Sequence, residues 1–342
     1  MISKFATIGW LLATIAAPAI ASAAVPTMES AVNLSGLEFN SGTLPGRPNW
    51  DYAVPSSSEL DYYRSKGVNV IRLPLLWERL QPGLLNASIN AALDPTYLAL
   101  VRAIITAAAA RKMFIIIDIH NYGGYGSHKI GDGTLTNTMF ADFWKRLASS
   151  LQGSTGLFGY DLMNEPSNMP STVAWPLAAQ AAVNAIRRVD KVAIICVEGD
   201  NWASAGSWTS SNNNLNVSDN TGRLLYEAHV YGDHDNSGTH FSWVAESALG
   251  VTTQTIASRV AVFSNWCKTR NVGCLIGEVG VGNDNAQWNV ELANGLAAMK
   301  SGGMMMFSYW AGGPWWGNYP MSIEPTVQGD APQMSIVKQY AN

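Results

Sequence analysis

The sequence predicts an α/β protein folded as a (β/α)8 TIM barrel, and three observations lead there. Eight short apolar runs with β character recur roughly every thirty to fifty residues along the 342-residue chain. Helical patterns fill most of the gaps between them, as a parallel sheet with crossover connections requires. Most runs are almost continuously apolar, the pattern of strands buried on both faces, and they close on polar residues. A doubly wound open sheet is the competing architecture, but no glycine-rich turn follows the first run.

Taken in order, the chain begins with a targeting segment. Lys4 supplies a positive n-region, Ile8 to Ile20 is apolar, and Ala21-Ser22-Ala23 offers a small-residue cleavage site. Residues 1–23 are therefore expected to be a signal peptide and 24–342 one catalytic barrel domain, exported and free of the membrane after cleavage. The expected strands are Val32–Phe39, Val68–Leu73, Met113–His120, Leu157–Met163, Val192–Val197, Leu224–Val230, Cys274–Val279 and Met304–Tyr309. Asp94-Pro95 reads as an N-cap and first helical residue before the stripe Leu98, Val101, Ile104, Ile105. Thr255 to Arg270 repeats the pattern with Ile256, Val260, Phe263 and Trp266. Seven interleaved helical segments and a last helix near Gln333–Tyr340 complete the expectation.

Composition narrows the function. A net charge of −4 excludes a strongly basic nucleic-acid binder. Charged residues are only 13% of the chain against 47% hydrophobic, so each charge inside an apolar run needs a reason. Thirteen tryptophans offer flat apolar faces with a polar edge, suited to core packing and to sugar rings alike. Three cysteines permit at most one internal pair. Cys267 and Cys274 are close in sequence and Cys196 sits in an apolar run, so one bridge and three reduced thiols both stay open. Their spacing fits no zinc site.

In a barrel of this kind chemistry sits where the strands end. The runs end in Arg72-Leu73-Pro74, Asp118-Ile119-His120-Asn121-Tyr122, Asp161-Leu162-Met163-Asn164-Glu165-Pro166, His229-Val230-Tyr231, Gly277-Glu278-Val279-Gly280 and Tyr309-Trp310. Glu165 and Glu278 each follow a buried strand directly. Two carboxylates facing one another across a cleft can perform acid/base and nucleophilic work on a glycosidic bond.

The same ordered motifs, from about Leu34 to Trp316, resemble glycoside hydrolase family 5, and within it the secreted endo-β-1,4-glucanase branch. Leu73-Pro74-Leu75-Leu76-Trp77-Glu78-Arg79-Leu80-Gln81-Pro82 and Trp310-Ala311-Gly312-Gly313-Pro314-Trp315-Trp316-Gly317 carry the subgroup resemblance. It implies Glu165 as acid/base and Glu278 as nucleophile. It further implies that Asn164 bonds the sugar 2-hydroxyl, Arg72 and Tyr231 orient Glu278, His120 and His229 bond substrate and carboxylates, and Trp310 stacks beneath the sugar. The expected partner is a β-glucan, the expected state a monomer, and neither cofactor nor metal is called for. A hydrolase of mannan, xyloglucan or mixed-linkage glucan, and a carbohydrate-binding protein without activity, are the competing readings.

Other signals point elsewhere. Asn121-Tyr122-Gly123-Gly124-Tyr125-Gly126 reads as a tight loop, since no Gly-Lys-Ser/Thr follows it. Asp233-His234-Asp235 with His240 matches no strong metal motif. Trp77, Trp202, Trp208, Trp315 and Trp316 are candidates for sugar subsites or for core.

Overall fold

In the computed structural model, which describes residues 28–341, eight parallel strands close into a barrel. They are β1 (Glu29–Leu34), β2 (Val70–Leu75), β3 (Phe114–Ile119), β4 (Leu157–Asp161), β5 (Ile194–Glu198), β6 (Leu224–Tyr231), β7 (Gly273–Gly280) and β8 (Met306–Gly312). Each strand pairs with the next in sequence, and β8 returns to β1. The expected barrel is the observed one. The expected signal segment, residues 1–23, lies outside the described residues.

The two-residue period of a strand sorts its side chains between two cores. Outward-facing Ile71, Leu73, Ile115, Ile117, Ile195 and Val197 join the large core beneath the helices. Inward-facing Ala31, Val70, Ile116, Cys196, Leu225, Leu275 and Met306 form a separate apolar cluster inside the barrel. Two residues further along, the inward positions turn polar: Asn33, Arg72, Asp118, Glu198, Glu227 and Ser308, with Asp161 of β4, are all buried. Gly277 of β7 faces them. A Cβ there would lie 1.6 Å from Glu227 Oε1, so only glycine leaves that carboxylate its place.

The helices α1 (Ser57–Ser65), α2 (Pro95–Ala110), α3 (Asn137–Leu151), α4 (Ala174–Arg187), α5 (Thr255–Arg270) and α6 (Ala286–Gly302) follow their sequence signals. Asp94 caps α2 by accepting from the Tyr97 N–H at 2.7 Å. Ile256, Val260, Phe263 and Trp266 are the buried face of α5. Cys267, near the end of α5, is bonded to Cys274 in β7, which resolves the open pairing, and Cys196 is the free, buried thiol.

Three elements differ from expectation. β1 lies N-terminal to Val32–Phe39 because the chain leaves the sheet at Gly36, whose φ of +153° and close approach to Ala53 no larger residue accommodates. Between β5 and β6 the only helix is the single turn Trp208–Ser211, in a stretch rich in Ser and Asn, which compete with helix for backbone bonds. The last helix shrinks to Met334–Val337, and bonds such as Gln339 N–H to Ile336 O carry the chain on as tight turns. The glycine-rich stretch after β3 forms a small hairpin, Gly124–Tyr125 against His128–Lys129. Among the described residues no single helix is long and apolar enough to cross a membrane.

Candidate active site

The C-terminal ends of the strands bring every expected site residue to one rim. Glu165 lies just beyond β4, and Glu278 is in β7 at a register shift between β6 and β7 that also involves His229. A local irregularity of this kind re-aims a side chain from wall to mouth. One carboxylate oxygen of Glu165, one of Glu278 and a ring nitrogen of His229 lie within 4.8 Å of one another. Glu278 is buried and Glu165 partly so, with 16% of its side chain accessible.

Glu278 is held at both oxygens. Arg72 donates to Oε1 at 3.0 Å, and the Tyr231 hydroxyl donates to Oε2. Burial and the charges of Glu278 and Glu165 push the Tyr231 hydroxyl well above its ordinary range, which keeps its proton on and its donor role intact. Glu165 is met by His229, whose Nδ1 lies 2.9 Å from Oε1. Burial alone would lower the His229 pKa; Glu198 and Glu278, together with the bonds to Glu165 and Glu198, override it and raise it well above the usual histidine value.

Arg72, expected to orient Glu278, also contacts residues that the expectation did not include. Its guanidinium also donates to Asp161 at 2.9 and 2.7 Å, Glu198 at 2.8 Å, Asn33 at 2.9 Å and Asn164 Oδ1 at 2.9 Å. Asp118 and Glu227 are 3.1 and 3.3 Å away. With Asn164 Oδ1 thus engaged, its buried Nδ2 has no hydrogen-bond partner among the described residues and can donate to a ligand. His120 Nδ1 bonds Asp118 Oδ2 at 2.7 Å, and its ring stacks on Trp310 at 5.4 Å with an 11° interplanar angle.

Sequence reasoning missed Asn33, Glu198 and Glu227 and gave Asp161 and Asp118 no role. The available signal was a charge two residues beyond an inward apolar position, as in Cys196/Glu198 and Leu225/Glu227. Burial, then the charge of Glu227, push the Asp161 carboxyl up, with Arg72 opposing the rise. Glu198 is pushed up to about 7 by burial, with His229 and Arg72 opposing the rise.

Of the tryptophans left open, Trp77 and Trp208 are fully buried core, while Trp202 and Trp315 are 48% and 41% exposed. A cavity of about 730 Å3 extends from Glu165 past Trp202, Ser204, Asn236 and Arg259. His234, Asp235 and His240 do come together on an exposed loop of this wall, one potential ligand atom of each within 4.8 Å of the others. His234 Nδ1 is already bonded to Glu246 at 2.9 Å.

A parallel barrel with two close carboxylates at its C-terminal mouth, one fixed by arginine and tyrosine, defines the class of barrel glycoside hydrolases. The chain belongs to the cellulase family, glycosyl hydrolase family 5, whose model matches residues 27–314. It is 32% identical to the probable endo-β-1,4-glucanase B of Neosartorya fischeri over 320 residues, covering 91% of this chain and 92% of that protein. Among solved structures it resembles the endoglucanase Cel5A of Pseudomonas stutzeri, at 34% identity and a TM-score of 0.85 over 92% of this chain and 94% of that one. It resembles XacCel5A, solved in complex with cellopentaose, at 33% identity and a TM-score of 0.85 over 93% of this chain and all of the other.

Proposed function

We propose that the protein is a secreted, monomeric endo-β-1,4-glucanase that cleaves internal β-1,4-glucosidic bonds with retention, using no cofactor. The observation that carries the mechanism is the proximity of Glu165 and Glu278, with oxygens within 4.8 Å, which suits a nucleophile close to the anomeric carbon and leaves little room for an intervening water. The glucanase relatives and the cellopentaose-bound neighbour support the substrate class. The bonded Cys267–Cys274 pair supports passage through an oxidising compartment.

In the first step Glu278 attacks the anomeric carbon while Glu165 gives its proton to the departing glycosidic oxygen. The C–O bond breaks and a glycosyl ester forms on Glu278. In the second, Glu165 takes a proton from water, the resulting oxygen attacks the same carbon, and Glu278 leaves as carboxylate. Arg72 and Tyr231 stabilise that leaving charge, Asn164 Nδ2 donates to the 2-hydroxyl, and Trp310 supports the ring.

The test is reducing-sugar release from a panel of β-1,4-glucan, mixed-linkage glucan, xyloglucan and mannan. The wild type should act fastest on β-1,4-glucan. Glu278→Gln should lose at least about a thousandfold in turnover and still bind cello-oligosaccharide. Preference for mannan would overturn the substrate, and near-normal turnover of Glu278→Gln would overturn the nucleophile.

A further inference from the structure

Glu198 closes β5 as a fully buried carboxylate with no path to a sugar, yet it touches three parts of the site. Its Oε2 accepts from the backbone N–H of Glu165 at 2.6 Å. Its Oε1 accepts from Arg72 at 2.8 Å and lies 3.3 Å from His229 Nε2. His229 presents its other nitrogen to the Glu165 carboxylate at 2.9 Å. Glu198 therefore holds Glu165 directly at its backbone N–H and stands at ion-pair distance from the imidazole that meets its side chain.

That backbone needs holding. Glu165 has a φ of +45°, the left-handed region that is unfavourable for a residue with a Cβ. The turn lets the side chain depart from the strand direction toward His229 and Glu278. The three groups Glu198 touches differ in their alternatives. Arg72 keeps Asp161, Asn33, Asn164 and Glu278 without it. The Glu165 N–H has no other hydrogen-bond acceptor among the described residues, and the nearest other carboxylate to His229 Nε2 is Glu227 at 3.8 Å. Loss of Glu198 thus falls on Glu165 far more than on the nucleophile.

We infer that Glu198 is a positioning residue for the acid/base, fixing Glu165 through its backbone N–H and through His229. The inference rests on the reading of Glu165 given above. A group that acts only through proton donation matters most when the leaving group is poor, so the test is leaving-group dependence in a purified, folded Glu198→Gln variant. A glutamine has one acceptor oxygen for two donors and cannot serve both Arg72 and Glu165. Turnover on cello-oligosaccharide should fall about 30- to 300-fold with KM changed less than about threefold. Glycosylation by 2,4-dinitrophenyl β-cellobioside, followed by release of the phenolate, should fall less than about fivefold. Glu198→Asp, which keeps the charge but falls a methylene short, should show the same split more weakly, and it serves if the glutamine variant does not fold. Equal losses on both substrates would overturn the inference in favour of a general structural role, and so would unchanged turnover on both. Glu165→Ala run in parallel separates the two claims. If it lacks the split, the acid/base reading fails; if it has the split and the Glu198 variants do not, only the role of Glu198 fails.

Discussion

Inside the barrel, Ala31, Val70, Ile116, Cys196, Leu225, Leu275 and Met306 fill one ring with hydrocarbon and a thiol. The next ring toward the mouth, one pleat along the same strands, holds Arg72 among Asp118, Asp161, Glu198 and Glu227. Both rings are shut off from water. The first stabilises by removing apolar surface from solvent. The second takes four carboxylates and one guanidinium out of water, an arrangement that an apolar ring of equal volume would match or exceed in stability. What the charged ring supplies is direction: it presents N–H donors upward to Glu278 and Asn164 and an acceptor to the Glu165 backbone. One ring holds the barrel shut, and the ring above it aims the chemistry.

Substitutions in the two rings should therefore separate activity from stability. Arg72→Lys keeps a positive charge but loses the planar fork that reaches several acceptors at once. It should cost at least about a hundredfold in turnover, read as kcat in folded protein, because Glu278 and Asn164 lose the fixed donors that aim them. Leu275→Ala in the apolar ring should do the reverse. It should lower unfolding free energy by about 2–5 kcal/mol in denaturant titration and leave kcat within about twofold. Equal effects of both substitutions on kcat would break the division of labour.

A smaller effect sharpens the same contrast outside the barrel. Glu291 on α6 is buried, accepts from the Ile256 N–H at 3.3 Å, and has no partner for its other oxygen among the described residues. Burial pushes it from an ordinary 4.5 up to about 8, with the Ile256 bond and Arg259 opposing. The folded protein thus holds a proton that the unfolded chain releases, so stability declines as pH rises from about 4.5 through 8. Glu291→Gln mimics the protonated form. Its unfolding free energy should exceed that of the wild type at pH 8.5 by about 1–3 kcal/mol in denaturant titration, and the difference should vanish near pH 4.5. A gap that is independent of pH would remove titration from the explanation. Turnover should stay within about twofold, because among the described residues the one hydrogen bond of Glu291 is to the Ile256 N–H.

The barrel, and the gathering of these polar residues at one rim, were legible in the sequence because each depends on local pattern. Runs such as Ile115-Ile116-Ile117 mark doubly buried strands, and Asn164-Glu165-Pro166 or Gly277-Glu278-Val279 end such runs with an unusual carboxylate. The charged ring was not legible by the same means. Glu198 and Glu227 stand inside or at the end of apolar runs as single charges, and what makes them tolerable is Arg72, more than 120 residues away from either in the chain, together with the missing Cβ of Gly277. Long-range compensation of this kind leaves no periodic trace. The early exit of β1 was hidden for another reason: apolar residues continue past Leu34, and only the contact of Gly36 with Ala53 ends the strand. The tryptophans divided by burial alone, with Trp77 and Trp208 inside and Trp202 and Trp315 at the surface, a distinction that residue type does not encode.

The central claim is that Glu278 bonds to the sugar and Glu165 serves both steps. Its most direct test is the anomeric configuration of the first product, followed by proton NMR during the opening minutes of cello-oligosaccharide hydrolysis, before mutarotation. Two successive displacements at one carbon predict that the new reducing end appears as the β-anomer, with the α-anomer growing in later. Initial appearance of the α-anomer would mean a single displacement by water, and it would contradict the assignment of Glu278 as nucleophile.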